Sequence, residues 1–185
     1  MPNPTAHAVA ATVPSLKDPA AAARILTLFE HLRSAQLVED EHRTVALVNQ
    51  AFCDMFGIPA TPAQLVGSDC VEAANAVMPL FRDPEAFRRS TDHAVETRSP
   101  IDAEMLELVD GRVLERDYTA VYSGDEFHGH VWTYRDITKA RRIEQDNARL
   151  RGFYQQILDS LPAQVAVFDA ECRFQYVNHA SIGNA

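Results

Sequence analysis

Cysteine, basic charge and long apolar runs are all scarce in this sequence of 185 residues. Its 3 cysteines, Cys53, Cys70 and Cys172, include no Cys-x-x-Cys pair, which argues against a disulfide framework or a structural zinc site and favours a reducing, cytoplasmic setting. The 17 Lys and Arg residues are outnumbered by 26 Asp and Glu, and this acidic balance argues against a nucleic-acid partner. No apolar run approaches the roughly 18 residues of a membrane span, and no Lys or Arg precedes Lys17, so we expect neither a signal peptide nor membrane contact.

The composition is otherwise that of a folded protein, with 46% apolar and 23% charged residues. Residues 1–19 hold four of the 10 prolines without any sustained periodicity, which predicts a flexible leader. Asp18 followed by Pro19 favours a helix start, and apolar residues at helical spacing predict an amphipathic helix from Ala20 to Arg33.

Period-two segments predict five strands. Two short β-rich runs, 35–38 and 44–48, flank an acidic turn and indicate a hairpin. Three longer runs follow a series of short helical segments, and Asp110-Gly111 and Ser123-Gly124-Asp125 separate them as hairpin turns; the runs are 101–109, 112–122 and 127–134. Helices segregated from an antiparallel sheet predict an α+β domain that ends near Ile137.

A heptad pattern follows from Thr138 to Leu161 and predicts a long helix of coiled-coil type. The a positions are Ala140, Asn147, Tyr154 and Leu161, and the d positions are Ile143, Leu150 and Ile157. Asn147 at an a position can pair with its symmetry mate, which predicts a homodimer formed through these helices. The alternative is a helix that packs on its own domain. The basic residues between 139 and 151 are interpreted as a solvated face of the helix.

An internal repeat appears when the sequence is shifted by 129 residues against itself. The shift aligns Asp40 with Asp169 and Val48-Asn49 with Val177-Asn178, together with the apolar strand positions. We therefore expect a leader at 1–19, a first module at 20–137, a linker helix at 138–161 and the start of a truncated second module at 162–185. This division predicts a piece of a larger tandem protein.

Short motifs connect the predicted elements in a fixed order between about residues 25 and 142. They are Leu37-Val38-Glu39-Asp40, Val45-Ala46-Leu47-Val48-Asn49-Gln50-Ala51-Phe52, Phe56-Gly57-Ile58, Leu65-Val66-Gly67, Leu108-Val109-Asp110-Gly111-Arg112 and Gly129-His130-Val131-Trp132-Thr133-Tyr134-Arg135-Asp136-Ile137-Thr138. In this order they resemble the PAS (PAS/PAC, S-box) sensory domains of bacterial signalling proteins, with a partial second copy from about 155 to 185. The resemblance implies a five-stranded antiparallel sheet with flanking short helices, followed by a signalling helix.

The resemblance also implies a sensory and dimerisation module of a bacterial signal-transduction protein of the sensor histidine kinase type. It would relay a change in the sheet to a C-terminal output domain through Asp136, Ile137, Thr138 and Asn147. Asp136 can accept backbone N–H groups at this junction, and Thr138 is a candidate N-cap. No catalytic constellation is present in the sequence, so we expect no enzymatic activity here, while the full-length output would be a histidine kinase or a diguanylate cyclase. The alternatives are a ligand-free dimerisation or spacer module and the input domain of a cyclic-dinucleotide enzyme.

Two chromophores are known in such domains, and neither is expected here. Haem would need a ligand on the helix that precedes the last three predicted strands. His93 lies about 140° from the apolar stripe of that helix and should face solvent. Flavin photochemistry would use a cysteine near Cys70, whose flanking residues do not match the flavin-binding pattern. We therefore expect no tightly bound cofactor.

A metal site and an apolar pocket are the remaining candidates. His128 and His130 are two residues apart on a predicted strand, so both should leave one face and could share a metal with Asp125 or Glu126, although a polar sheet face is the favoured interpretation and no metal is expected. Apolar residues between sheet and helices could either fill the core or line a small-molecule pocket. The pocket candidates are Met55, Phe56, Met78, Phe87, Leu106 and Trp132.

Overall fold

The computed structural model describes residues 18–178, and the chain divides into two compact units, residues 1–137 and 138–185. Most of the predicted leader and the last part of the predicted second module, residues 179–185, therefore lie outside the described residues. Between residues 18 and 178, no helix is long and apolar enough to cross a membrane.

Helices begin where the sequence supplies capping side chains. They are α1 (Pro19–Glu30), α2 (Gln50–Phe56), α3 (Pro62–Leu65), α4 (Cys70–Val77), α5 (Pro84–Thr97) and α6 (Thr138–Ser160), with a 3-10 turn at Met78–Leu80. Asp18, Asn49, Asp69 and Asp83 each accept a backbone N–H at a helix start, which satisfies donors that the helix leaves open. At the other end of α2, Gly57 takes a left-handed conformation with φ 64 that ends the helix.

The first unit contains a five-stranded antiparallel sheet. Its strands are β1 (Ala35–Glu39), β2 (Val45–Val48), β3 (Ile101–Glu107), β4 (Val113–Ser123) and β5 (Glu126–Asp136), in the spatial order β2-β1-β5-β4-β3. The predicted hairpin is β1–β2 and the predicted meander is β3–β4–β5. The α+β class and the strand count are confirmed.

One face of this sheet carries the core. Alternate residues of each strand point to the same side, and Leu37, Leu114, Tyr118, Trp132 and Tyr134 are all buried there. Aromatic side chains from the helical segment pack over them; these are Phe52, Phe56, Phe81 and Phe87.

The second unit reproduces the first hairpin. Its strands β6 (Ala166–Phe168) and β7 (Phe174–Val177) pair in the same relative register as β1 and β2 after a shift of 129 residues. Asn49 Oδ1 accepts from the backbone N–H of Gln36, and Asn178 Oδ1 accepts from that of Val165, each at 2.9 Å. The β6–β7 hairpin thus matches β1–β2 in its register and in the hydrogen bond of its asparagine.

The α6 helix runs from Thr138 to Ser160 without interruption at Gly152. Thr138 is its first residue, not a cap that precedes it. None of its described side chains is buried, and the heptad residues Ile143, Leu150 and Ile157 are between 42% and 52% exposed.

Candidate functional site: a polar cluster inside the sheet–helix core

Two charged side chains lie inside the core at the end of β1. Glu39 is 3% exposed and forms an ion pair with Arg43, whose side chain is 19% exposed. The turn that joins them is set by Asp40, whose Oδ1 accepts from the backbone N–H groups of His42 and Thr44, both at 2.9 Å. Arg43 takes a left-handed conformation with φ 64 in this turn. The turn thus places a cation four residues after the buried carboxylate.

The Glu39 carboxylate also lies beside Trp132 and Cys70. Burial raises the pKa of Glu39, while Arg43, the Trp132 indole and the Cys70 thiol oppose that rise. The buried Trp132 Nε1 nevertheless forms no hydrogen bond of good geometry within the described residues. Burial, and next the charge of Glu39, raise the pKa of the Cys70 thiol well above its usual range, so this cysteine is not a reactive thiolate.

A second buried cation joins the sheet to α5. The Arg116 side chain is fully buried, its Nη1 donates to Thr91 Oγ1 at 2.7 Å and its Nη2 donates to Ser90 Oγ at 2.8 Å. Its Nε donates to Glu104 Oε2 at 2.8 Å. The guanidinium also lies 5.2 Å from the centre of the Trp132 ring, within range of a cation–π contact. Arg116 therefore has defined partners on both the helix and the neighbouring strand.

His130 lies next to Glu39 in the sheet, because β5 pairs with β1 and places the two residues opposite each other. Its Nδ1 shares a hydrogen bond of 2.8 Å with the Tyr118 hydroxyl. Burial, together with the positive charges of Arg43 and Arg98, lowers the pKa of His130 to about 4. The imidazole is therefore neutral at physiological pH.

Two adjoining cavities reach this cluster. An inner cavity of about 30 Å³ is lined by Glu39, Arg43, Cys70 and Trp132 among others, and an outer cavity of about 260 Å³ lies between α4 and α5. Arg43 and Thr91 line both cavities. The two cavities therefore share part of their lining, including Arg43.

The six pocket candidates are divided among separate spaces. Phe56, Phe87 and Trp132 are buried and line the inner cavity, while Met78 is partly buried and lines the outer one. Leu106, with Phe87, lines a further cavity of about 320 Å³ beside β3. Met55 is partly buried against the core, and its backbone carbonyl accepts from Arg112 Nη1 at 2.8 Å.

The inner cavity by itself is too small for haem or flavin. The inner cavity has room for about one or two water molecules. His93 is exposed, whereas Phe87, Thr91 and Ala94 form the buried stripe of α5. Cys70 lies against Glu39. The expectation that His93 faces solvent is confirmed.

The predicted common face for His128 and His130 is wrong. The β4–β5 ladder has an irregularity between Val121 and Tyr122, which adds one residue to β5 near Gly129. As a result His130 is buried in the core, whereas the His128 side chain is 43% exposed and lies 3.8 Å from Glu126. Among the described residues, no group of three His, Cys, Asp or Glu side chains is placed to hold a metal.

The predicted relay residues lie in sequence at the end of the sheet. Asp136 is the last residue of β5 and pairs with Leu114. The Ile137 backbone N–H donates to the Val113 carbonyl at 3.0 Å, and Thr138 then begins α6. Asn147 is exposed on that helix.

The charged residues of the core were missed by the sequence analysis. Glu39 follows Leu37 at an inward-facing strand position, and Arg116 stands between the inward-facing residues Leu114 and Tyr118. A charged residue at a position where strand alternation demands an apolar one was the available signal.

Comparison with known proteins agrees with this fold. The family model described as PAS fold matches residues 29–142, and the chain belongs to that family. The domain is thus a sensory module of the PAS class, and PAS domains are not themselves enzymes. The chain matches no curated protein.

Solved structures show the same fold at low sequence identity. The PAS domain of BvgS from Bordetella pertussis is 21% identical, with a TM-score of 0.50 over 71% of this chain and 96% of that one. An RNA-binding light-oxygen-voltage receptor is 17% identical, with a TM-score of 0.50 over 82% of this chain and 41% of that one. A PAS domain from Colwellia psychrerythraea is 19% identical, with a TM-score of 0.45 over 64% of this chain and 98% of that one.

Proposed function

We propose that this chain is a sensory and dimerisation module of a bacterial signal-transduction protein of the sensor histidine kinase type. A change at the core face of the sheet would pass through β5 into α6 and from there to a C-terminal output domain. The free cysteines Cys53, Cys70 and Cys172 are compatible with a cytoplasmic location, which is part of this proposal.

The observation that carries the proposal is the continuity of β5 with α6. Only Ile137 separates the last residue of the strand from the first residue of the helix. Trp132 and Tyr134 on β5 face the polar cluster, so a displacement of that strand is transmitted along a short, hydrogen-bonded segment. A switch of this kind needs two arrangements that differ by only a few kcal/mol.

The dimeric part of the proposal rests on the heptad residues of α6. Ile143, Leu150 and Ile157 repeat every seven residues and are half exposed, as a partner helix would require. Asn147 lies between them at an a position, where it would set the register of a parallel pair.

The test is the association state of the whole chain with charge placed in or beside this seam. We expect Leu150→Asp to convert a dimer to a monomer in sedimentation equilibrium, because the carboxylates would face each other at the d position. Gln145→Asp, at an f position outside the seam, is the matched control and should leave the dimer intact. A wild-type chain that is monomeric at all concentrations would contradict the dimeric function.

The relay is tested separately in the full-length protein. We expect Asp136→Ala and Asn147→Leu to change output activity while thermal unfolding shows that the domain stays folded. Unchanged output for both variants would count against the relay.

The small inner cavity favours a second candidate, a ligand-free dimerisation or spacer module. In that case the melting temperature would not respond to any metabolite, since a ligand specific for the folded state raises stability by mass action. The other role that the family allows for this chain is that of the input domain of a cyclic-dinucleotide enzyme.

A further inference from the structure

The buried ion pair of Glu39 and Arg43 has no counterpart in the matching hairpin of the second unit. In the second unit, Phe168 stands at the position of Glu39 and Cys172 at that of Arg43. The β6–β7 hairpin nevertheless keeps the register and the Asp169 turn, and Cys172 has φ 61 where Arg43 has φ 64. A hairpin with this register and this turn therefore does not require the two charges.

An ion pair in the core is also a poor source of stability. Removing two charges from water costs several kcal/mol per ion, and the attraction between them repays this only when further hydrogen bonds complete the site. Here the completion is partial, since Trp132 Nε1 is buried without a hydrogen bond of good geometry. A buried donor left without a partner in a folded protein needs an explanation, and a bound species is one of those explanations.

Three groups that can donate a hydrogen bond lie around the carboxylate of Glu39, and one of them, Arg43, forms an ion pair with it. Arg43 offers a planar fork that matches a carboxylate, and Trp132 offers an indole N–H that can only donate. The Cys70 thiol is the third, and it stays protonated because burial and Glu39 raise its pKa. This is the donor set of a carboxylate site, and Glu39 occupies it from within the chain.

We propose that Arg43, Trp132 and Cys70 form a receptor for the carboxylate of a small organic acid, and that Glu39 holds this receptor closed until the acid displaces it. The inference rests on the proposed sensory function of the domain and names the ligand class of its site. The outer cavity of about 260 Å³ supplies the entrance and holds the body of the ligand. Val71, Ala74, Met78 and Phe87 are the apolar residues of its lining, which also includes the polar Asn75, Arg88 and Asp92, so the body of the acid has an apolar part.

A cation fits the site less well than an acid. A cation bound by Glu39 would have to expel the Arg43 guanidinium and leave it without its partner, which is strongly unfavourable in a buried site. A carboxylic acid replaces one carboxylate by another, and Arg43 keeps its pairing.

The exchange takes up one proton. Burial already raises the pKa of Glu39, and loss of Arg43 to the ligand removes the largest opposing influence, so the displaced carboxyl becomes neutral. The titratable or charged groups that face Glu39 from the neighbouring elements are Arg43, Cys70, Tyr118, His130 and Tyr134, whose pKa is raised by burial, with Arg98 beyond His130. The pKa of His130 is lowered to about 4 and that of Tyr118 is raised to about 12, so neither changes charge near neutral pH.

Trp132 makes the test direct, because it is the one tryptophan of the sequence and lies in the site. The intact chain is titrated with benzoate, with neutral benzamide and with inorganic phosphate, and the tryptophan fluorescence is followed. We expect a saturable change with benzoate and none with benzamide or phosphate at the same concentrations. Benzoate affinity should fall by about tenfold per pH unit above the pKa of Glu39, as one linked proton requires.

Variants separate the two members of the pair. Glu39→Gln keeps the shape, removes the internal competitor and should bind benzoate about tenfold more tightly with no pH dependence. Arg43→Met should bind benzoate at least about tenfold more weakly than the wild type. Arg82→Met is the control, because Arg82 lies in an exposed pair with Glu107, and this variant should bind benzoate as the wild type does. Circular dichroism confirms that each variant is folded.

The proposal is overturned if benzamide or phosphate binds as well as benzoate, or if Glu39→Gln gives no response to benzoate. If Arg43→Met does not fold, the pH dependence and its loss in Glu39→Gln still decide the matter. Fluorescence at Trp132 reports the site without the relay. A chain that binds benzoate but stays monomeric therefore refutes the proposed dimeric function alone.

Discussion

The Cα of Gly129 faces the backbone carbonyl of Glu39 so closely that no side chain fits between them. A Cβ built on Gly129 would also come within 2.9 Å of the Asp40 Cα, and the residue has φ 115, which side-chain-bearing residues rarely adopt. Gly129 is thus the point at which β5 comes closest to the end of β1, at the backbone of Glu39 and Asp40.

Gly129→Ala should destabilise the first unit by about 2–4 kcal/mol, because it adds both overpacking and backbone strain. Gly152→Ala is the matched control. Gly152 lies within α6 with open space around it, so the same substitution should leave stability equal or raise it by up to about 1 kcal/mol. Urea unfolding of both variants measures the difference, and equal effects would contradict the close approach.

Asn49→Ala should destabilise the first unit, because the fully buried Asn49 joins three segments of the chain. Its Oδ1 accepts from Gln36 and Phe52 N–H groups at 2.9 and 3.1 Å, and its Nδ2 donates to the Ser34 carbonyl at 2.9 Å. Each buried group left without a partner costs about 1–3 kcal/mol.

Asn178→Ala is the control for that change, since it removes the corresponding bonds of the second unit. Hydrogen exchange of β1 and β2 amides should accelerate in Asn49→Ala and stay unchanged in Asn178→Ala. The same protection loss in both variants would show that the two units do not unfold separately.

Acid should destabilise the first unit through His130. The folded-state pKa of about 4 lies below the ordinary value of 6.5, so the unfolded chain binds more protons between these values. The contribution of the neutral imidazole is therefore complete above about pH 6.5 and is lost as the pH falls to about 4, with a magnitude of about 3 kcal/mol. Glu39, whose pKa is raised, acts in the opposite direction, so the difference between variants is the quantity to measure.

His130→Gln should flatten this part of the stability profile between pH 4 and 6.5. His128→Gln, on the exposed side of β5, should leave it unchanged. Urea midpoints at a series of pH values would reveal the contrast, and equal slopes for both variants would exclude His130 as the source.

Arg116→Met should destabilise the first unit by about 3 kcal/mol, because it removes the partner of Glu104, Ser90 and Thr91 in the core. Arg135→Met is the comparison on the outer face of the same sheet. Arg135 pairs with Glu115 and Asp117 but is 44% exposed, so its loss should cost less than about 1 kcal/mol. Thermal unfolding of the two variants would test the ranking.

Local patterns in the sequence were enough for much of the fold. Asp18-Pro19 marked the start of α1, which begins at Pro19 with Asp18 as its cap, and Asp110-Gly111 marked the turn between β3 and β4. These signals act over a few residues, through capping hydrogen bonds and turn conformations. They can therefore be recognised in the sequence without any tertiary information. The internal repeat could also be recognised in the sequence, because the same local signals recur after 129 residues.

The candidate site could not be predicted from local sequence patterns in this way. His128 and His130 were expected on one face because strict alternation was assumed, and the bulge near Gly129 sent them to opposite sides. Glu39 and Arg116 carried the types of side chain that usually face water, and only the pairing of β1 with β5 and of α5 with β4 gave them partners.

The sequence by itself thus determined the order of elements, their caps and turns and the duplication of the first hairpin. The tertiary structure alone decided which charged groups lie in the core, because burial of a charge depends on a partner that is distant in the chain. Arg43 and Trp132 are 89 residues apart in the sequence, and only the folded sheet brings both to the carboxylate of Glu39.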